Sequence, residues 1–220
     1  MFTYDLQIQN GHLLFDAGNG LVIIDTGSPS SFHEDGQISF SGSNYPVDTS
    51  YIVTAQYLSE RLGVEIKGLL GMDIISHNPI LIDVPNKKLV AGAEMQVENI
   101  GAGNFMGAIM INLNISGVPT RLLLDTGAWI SYLDPSLTSN HDVIRTEMDF
   151  SPVTGINSEF TTPIYRVNTI IGGNEEQLEY GNLPTMLNMA ISLTGAKGII
   201  GYELLSRKAV YINGDIVGLV

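Results

Sequence analysis

Short apolar runs separated by turn residues recur along the whole chain. Two of them, residues 21–24 and 122–124, end directly in Asp-Thr-Gly, at Asp25 and Asp125. A short apolar run that stops at turn residues is typical of a buried strand leading into a turn that presents a polar side chain. With 24 glycines and few helix-like stretches, the pattern predicts a mostly β protein.

The elements around the two Asp-Thr-Gly motifs repeat in the same order. Lys-Gly-Leu-Leu-Gly-Met-Asp-Ile-Ile at residues 67–75 matches Lys-Gly-Ile-Ile-Gly-Tyr-Glu-Leu-Leu at residues 197–205. An apolar strand precedes each motif, and a hairpin follows each matching segment, the second turning at Asn213-Gly214. This repetition predicts two homologous lobes, residues 1–99 and 100–220, joined in the glycine-rich stretch 100–105.

Composition and charge narrow the possible partners and the compartment. The net charge is −13 and the 10 Lys and Arg residues are scattered, so we expect neither a nucleic-acid nor a membrane-surface partner. The N-terminus lacks a signal-peptide pattern and the chain has no cysteine, which favours a cytoplasmic location. Only 24 residues precede Asp25, so we expect no inhibitory prosegment.

Most hydrolytic chemistries have no matching motif in this sequence. Gly-x-Ser-x-Gly, His-Glu-x-x-His and the phosphate-binding Gly-x-x-x-x-Gly-Lys-Ser/Thr are absent. The four histidines are dispersed without metal-ligand spacing, at His12, His33, His77 and His141. We therefore expect neither a metal nor a cofactor.

The twin Asp-Thr-Gly motifs with matching downstream glycines resemble the aspartic peptidases, both the two-lobed pepsin-like enzymes and the dimeric retropepsins. The resemblance covers nearly the whole chain and implies an all-β, bilobal fold with pseudo-two-fold symmetry. It implies a six-stranded base to which both lobes contribute. It also implies that one chain suffices, so we expect an aspartic endopeptidase active as a monomer on extended peptides or proteins.

The same resemblance assigns roles to individual residues. It implies that Asp25 and Asp125 are catalytic, that the two threonines bond across to the opposite loop, and that Gly71 and Gly201 let a strand pack against each loop. The supporting residues of the two loops are then Thr26, Gly27, Ser28, Thr126, Gly127 and Ala128.

The two halves differ in length between their motifs. From Asp25 to Gly71 is 71 − 25 = 46 positions, whereas from Asp125 to Gly201 is 201 − 125 = 76. The longer second interval contains a hairpin-like stretch, residues 150–160, which resembles the flap of retropepsins; the first lobe is expected to have a short flap or none. The expected flap residues are Val153, Thr154, Gly155 and Ile156.

Two carboxyl groups sharing one proton can supply both the base and the acid that peptide hydrolysis needs. Because Ser28 carries a hydroxyl and Ala128 does not, we expect Ser28 to donate a hydrogen bond to Asp25 and to keep it ionised. Pro29 and Trp129, just after the motifs, depart from the small residues usual in the family. They leave open a second hypothesis, a catalytically inactive peptide-binding or scaffold protein.

Overall fold

The computed structural model describes residues 1–105, 107–151 and 159–220, and the chain is mostly β, as predicted. Residues 1–99 contain ten strands and two helices. These are β1 (Phe2–Asp5), β2 (Gln7–Gln9), β3 (His12–Asp16), β4 (Leu21–Ile24), β5 (Phe32–His33), β6 (Gln37–Phe40), β7 (Ser43–Pro46), α1 (Ala55–Leu62), β8 (Gly68–Leu70), α2 (Met72–Ile75), β9 (Ile80–Asp83) and β10 (Lys88–Ala91).

The remaining elements follow from residue 100 onward. They are β11 (Gly101–Phe105), β12 (Ala108–Ile115), β13 (Val118–Leu124), β14 (Ser131–Leu133), α3 (Pro135–Thr138), β15 (Val143–Phe150), β16 (Glu159–Ile171), β17 (Asn174–Asn182), α4 (Thr185–Leu193), β18 (Gly198–Ile200), α5 (Tyr202–Leu205), β19 (Val210–Asn213) and β20 (Ile216–Leu219).

The strands that lead into the two Asp-Thr-Gly motifs are β4 and β13, and their surroundings are alike. Each pairs antiparallel with the strand before it, β3 or β12. Each also pairs in parallel with a short strand, β4 with β8 and β13 with β18, where Ile23 lies opposite Leu69 and Leu123 opposite Ile199. Because β8 and β18 end just before Gly71 and Gly201, these pairings bring the glycines beside the loops.

One sheet joins the two halves of the chain. Its described strands run in the order β1-β10-β9-β19-β20, and β9 pairs with β19 at its centre. The expected base of six strands is therefore a sheet of five. A sixth strand would pair with β20 at the edge of this sheet. There the Ile100 N–H donates to the Val217 carbonyl (2.8 Å), but the Ile100 carbonyl accepts from the N–H of Asn112 on β12, which belongs to a different sheet (2.9 Å). The chain thus leaves the base after a single backbone bond.

The glycine-rich stretch expected to join two lobes is mostly the strand β11. It pairs with β12 from Gly101 to Phe105, with an irregular register between Gly101 and Asn104. The preceding residues 93–100 carry no strand or helix.

The largest hydrophobic core contains buried side chains from both halves, among them Phe15, Ile80, Ile111 and Val210. The two halves therefore share a core. Among the described residues, no helix is long and apolar enough to span a membrane.

Candidate active site

The backbone fixes Asp25 and Asp125 at the ends of their strands. The Asp25 N–H donates to the Leu70 carbonyl at 3.0 Å, and the Asp125 N–H donates to the Ile200 carbonyl at 2.9 Å. The parallel pairing thus continues for one residue into each loop. Each aspartate therefore starts from a position set by a buried strand.

Two threonines clamp the loops to each other. The Thr26 N–H donates to Thr126 Oγ1 (3.0 Å), and the Thr26 hydroxyl donates to the Leu124 carbonyl (2.7 Å). The reciprocal bonds have the same lengths, from the Thr126 N–H to Thr26 Oγ1 and from the Thr126 hydroxyl to the Ile24 carbonyl. Both threonines are fully buried, so water does not compete for these four bonds. The clamp holds the two loops at a fixed separation.

The two carboxyl groups converge because each lies over a glycine of the opposite loop. A Cβ atom added to Gly27 would lie 2.5 Å from Cγ of Asp125, and one added to Gly127 would lie 2.7 Å from Cγ of Asp25. Any side chain at either glycine would collide with the opposite carboxyl group. Each glycine also donates its N–H to the aspartate of its own loop, at 2.9 Å in both cases.

The electrostatics of the two carboxyl groups are unequal. Burial raises the pKa of Asp25, against the N–H of Gly27 and a hydrogen bond with Asp125. Burial and then the negative charge of Asp25 raise the pKa of Asp125 to about 8. Both carboxyl groups are half-buried where they border the cavity, and loss of contact with water is the largest cause of the rise in each pKa. Asp125 is therefore the group of the pair that keeps its proton to higher pH.

Ser28 does not make the expected side-chain bond to Asp25. Its hydroxyl donates to the Ser30 carbonyl at 2.9 Å, and it is the Ser28 backbone N–H that donates to Asp25 Oδ1, at 3.0 Å. The expectation was wrong because the loop turns the hydroxyl toward its own backbone. Ala128 can supply the same backbone donor to Asp125, so this pair of residues does not distinguish the two aspartates.

Gly71 and Gly201 lie where a strand end touches each loop. A Cβ atom would lie 2.8 Å from the Ser30 carbonyl oxygen at Gly71 and 2.1 Å from the Ala128 carbonyl oxygen at Gly201. Contacts this close leave no room for a side chain.

Two further supports, Ser31 and Ser131, were not found from the sequence. Their hydroxyls accept the N–H of Gly71 (2.8 Å) and of Gly201 (3.1 Å). The signal was present, since each serine follows its aspartate by six positions, 31 − 25 and 131 − 125.

The two aspartates border a cavity of about 320 Å³ between the halves. Its lining is mostly apolar and comes from both halves, with Ile23, Val53, Leu58, Leu123, Leu183 and Ile199 among the residues. An apolar cleft with a few converging polar groups is typical of a binding site for an organic ligand.

A buried carboxylate, Asp149, lies at the side of this cavity and was also missed. It accepts hydrogen bonds from Trp129 Nε1 (2.9 Å), from the Phe150 N–H (2.8 Å) and from the Tyr132 hydroxyl. His12 borders the same cavity and is buried too. Trp129, which departs from the small residues usual in the family, is thereby fixed to Asp149. Pro29 borders the cavity and is exposed.

The expected flap lies partly outside the described residues. Strands β15 and β16 form an antiparallel hairpin in which Phe150 is paired with Glu159. Val153, Thr154, Gly155 and Ile156 fall in the part of the chain, residues 152–158, that the structure does not describe. In the first half, the β6–β7 hairpin packs on the core instead, with the Phe40 ring 5.7 Å from that of Phe15.

The β15–β16 hairpin contacts helix α1 of the first half at the end where Phe150 pairs with Glu159. Arg61 lies 4.4 Å from the centre of the Phe150 ring and forms a 2.6 Å ion pair with Glu159. Tyr57 meets the same ring edge to face, at 5.9 Å between centroids. In the three described segments, no group of three or more His, Cys, Asp or Glu side chains is placed to hold a metal ion.

No protein-family model matches the sequence, and no curated protein matches it. Among solved structures, the chain is similar to a retropepsin-like aspartic protease from Rickettsia conorii, with 20% sequence identity and a TM-score of 0.41. The similar region covers 56% of this chain and 91% of that protein. At this level of likeness, function has to be argued from the two carboxyl groups themselves.

Proposed function

We propose that the protein is an aspartic endopeptidase in which Asp25 and Asp125 activate one water molecule between two lobes, residues 1–99 and 100–220. The lobes would be related by a pseudo-two-fold axis that passes between Thr26 and Thr126. The observation that carries the proposal is the convergence of two carboxyl groups, each lying over the opposite loop's glycine. Since both aspartates belong to one chain, a monomer would be sufficient.

The chemistry follows from the unequal carboxyl groups. Ionised Asp25 takes a proton from water as the water oxygen bonds to the peptide carbonyl carbon, and protonated Asp125 gives its proton to the carbonyl oxygen. When the tetrahedral intermediate collapses, the C–N bond breaks, Asp25 gives its proton to the leaving amine, and Asp125 takes a proton from one hydroxyl of the intermediate, which restores the singly protonated pair. One proton shared by two carboxyl groups serves both steps, so no metal or cofactor is required.

The geometry of the cleft favours an extended peptide with apolar side chains. The apolar lining comes from both sides of the aspartates, so side chains on either side of the cleaved bond would be buried. The β15–β16 hairpin would border the bound peptide as the flap proposed for residues 150–160.

The test is cleavage of a mixed peptide library by the purified protein, from about pH 3 to pH 7 because a carboxyl pair works in acid. Cleavage is read by mass spectrometry, with and without pepstatin, for the wild type, Asp25→Asn and Asp125→Asn. We expect cleavage that both substitutions abolish. Peptides that are retained but not cut at any pH would contradict the proposal and favour a non-catalytic binding protein.

A further inference from the structure

His12 is a buried titratable group at the cavity that the proposed chemistry does not use. It lies on β3 and is 8% exposed. Its Nδ1 is 3.1 Å from the Asn10 carbonyl oxygen, which can only accept a hydrogen bond. Nδ1 therefore carries the proton of the neutral ring, and Nε2 is the nitrogen that titrates.

Carboxylates from both halves of the chain act on this imidazole. Asp25 follows β4, the strand paired with β3, and Asp149 lies on β15; both attract the protonated ring. Two further neighbours are Gln9, which β2 places opposite His12, and Tyr202, whose ring lies near Gly11.

The turn before His12 also contacts the second half. A Cβ atom on Gly11 would lie 2.7 Å from Cβ of Trp129, whose indole donates to Asp149. His12, Trp129 and Asp149 all border the cavity, so the Trp129–Asp149 pair and His12 form one polar cluster beside the dyad of Asp25 and Asp125. The cluster links the hairpin of the second half to the Asp25 side of the cavity.

Among the described residues that line the cavity, the Asp125 side of the dyad has no histidine. Leu14 is paired with Ile23, two residues before Asp25, and Met110 is paired with Leu123, two residues before Asp125. Two positions before Leu14 and Met110 lie His12 and Ala108, so Ala108 is the position in the second half that corresponds to His12, and both border the cavity. In the described part of the lining, the imidazole thus lies on the Asp25 side and an alanine on the Asp125 side.

We propose that His12 is a positioning residue whose protonated ring faces Asp25 and Asp149 and keeps Asp25 ionised in acid. Burial lowers the pKa of His12, so the ring is neutral near pH 7 and gains its charge as the pH falls. Its charge then lowers the pKa of Asp25, and the singly protonated dyad persists to lower pH. Only the expected effect on cleavage rests on the proposed peptidase activity.

The direct test is an NMR titration of the histidine ring signals in the full chain, with His12 assigned from a His12→Gln variant. Electrostatic coupling is reciprocal, so Asp25→Asn should lower the His12 midpoint by roughly 0.5–1 pH unit. His33 is the matched control, since its charged neighbours are Asp35, Glu34 and Lys67. A His12 midpoint equal in wild type and Asp25→Asn, with His33 unmoved, would overturn the inference.

The second measurement is the pH profile of cleavage. His12→Gln should shift the acidic limb of the kcat/KM profile to higher pH by roughly 0.5 unit, because Asp25 is protonated more easily without the charged ring. An unmoved limb would contradict the inference. A shifted His12 midpoint in a protein that cuts nothing would instead support the coupling and refute the proposed function, so the two failures are distinguishable.

Discussion

The Asp25 loop and the Asp125 loop are built alike where they hold the carboxyl groups and differ where they border the cavity. Both have the threonine clamp, the glycine under the opposite carboxyl group and the serine six positions on. They differ in the next residues, Ser28-Pro29 against Ala128-Trp129, and in the strand before each, His12 against Ala108. The shared contacts set the separation of the carboxyl groups, whereas the residues that differ all line the cavity and shape the cleft.

The largest effect is expected from breaking the threonine clamp. Thr26→Val and Thr126→Val each keep the shape but leave a buried N–H and a buried carbonyl without their partner. Since each of the two unsatisfied groups costs about 1–3 kcal/mol, either change should lower the free energy of unfolding by about 2–6 kcal/mol in urea denaturation. Thr26→Ser keeps the hydroxyl and is the control. Costs that differ severalfold between the two valine variants would show that the clamp is not reciprocal.

The next prediction compares the two close-packed glycines. Gly201→Ala should lower the free energy of unfolding by about 1–3 kcal/mol, because its Cβ would lie 2.1 Å from a backbone oxygen. Gly71→Ala, with the nearest atoms at 2.8 Å, should cost less. Both can be measured by thermal unfolding, each beside the wild type. Equal costs, or a neutral Gly201→Ala, would mean that the Asp125 loop moves aside freely.

A smaller effect concerns the proton on Asp125. The folded chain holds this proton up to about pH 8, whereas the usual pKa of an aspartate is 3.8. The stability it contributes is therefore complete below pH 3.8 and is lost as the pH rises toward 8. Asparagine does not titrate, so the Asp125→Asn variant does not lose this stability. The free energy of unfolding of Asp125→Asn should therefore rise relative to that of the wild type as the pH rises. We expect a gain of about 1–2 kcal/mol at pH 7, less than full linkage would give because the carboxyl groups are half-buried.

The measurement is urea unfolding of Asp125→Asn and wild type at several pH values. Asp142→Asn, at an exposed position, gives the background change from removing one surface carboxyl group. A difference in the free energy of unfolding between Asp125→Asn and wild type that stays constant with pH would contradict the raised pKa of Asp125.

The symmetric parts of the site could be predicted from the sequence, and the asymmetric parts could not. Apolar runs ending in Asp-Thr-Gly predicted β4 and β13, because burial and turn residues are local signals. The partner of the Ser28 hydroxyl depends on how the loop turns, which the residue types do not fix. The cluster of His12 with Asp149 joins residues 149 − 12 = 137 positions apart, so no local pattern in the sequence could predict it. The glycine-rich stretch became β11 because pairing with β12 outweighed its weak strand propensity.

The smallest predicted effect concerns the contact between helix α1 of the first half and the β15–β16 hairpin of the second half. Arg61 on α1 lies over Phe150 and pairs with Glu159, so it joins the helix of the first half to the hairpin of the second. Both charged partners are partly exposed, and Arg61→Gln should therefore lower the free energy of unfolding by only about 0.5–1 kcal/mol. Arg61→Lys separates the two contributions, because lysine keeps the charge but stacks less well on the ring. If Arg61→Lys were as stable as the wild type, the ion pair with Glu159 would account for the whole contact. If Arg61→Gln lost the same stability in high salt, where the ion pair is screened, the contact with Phe150 would account for the loss.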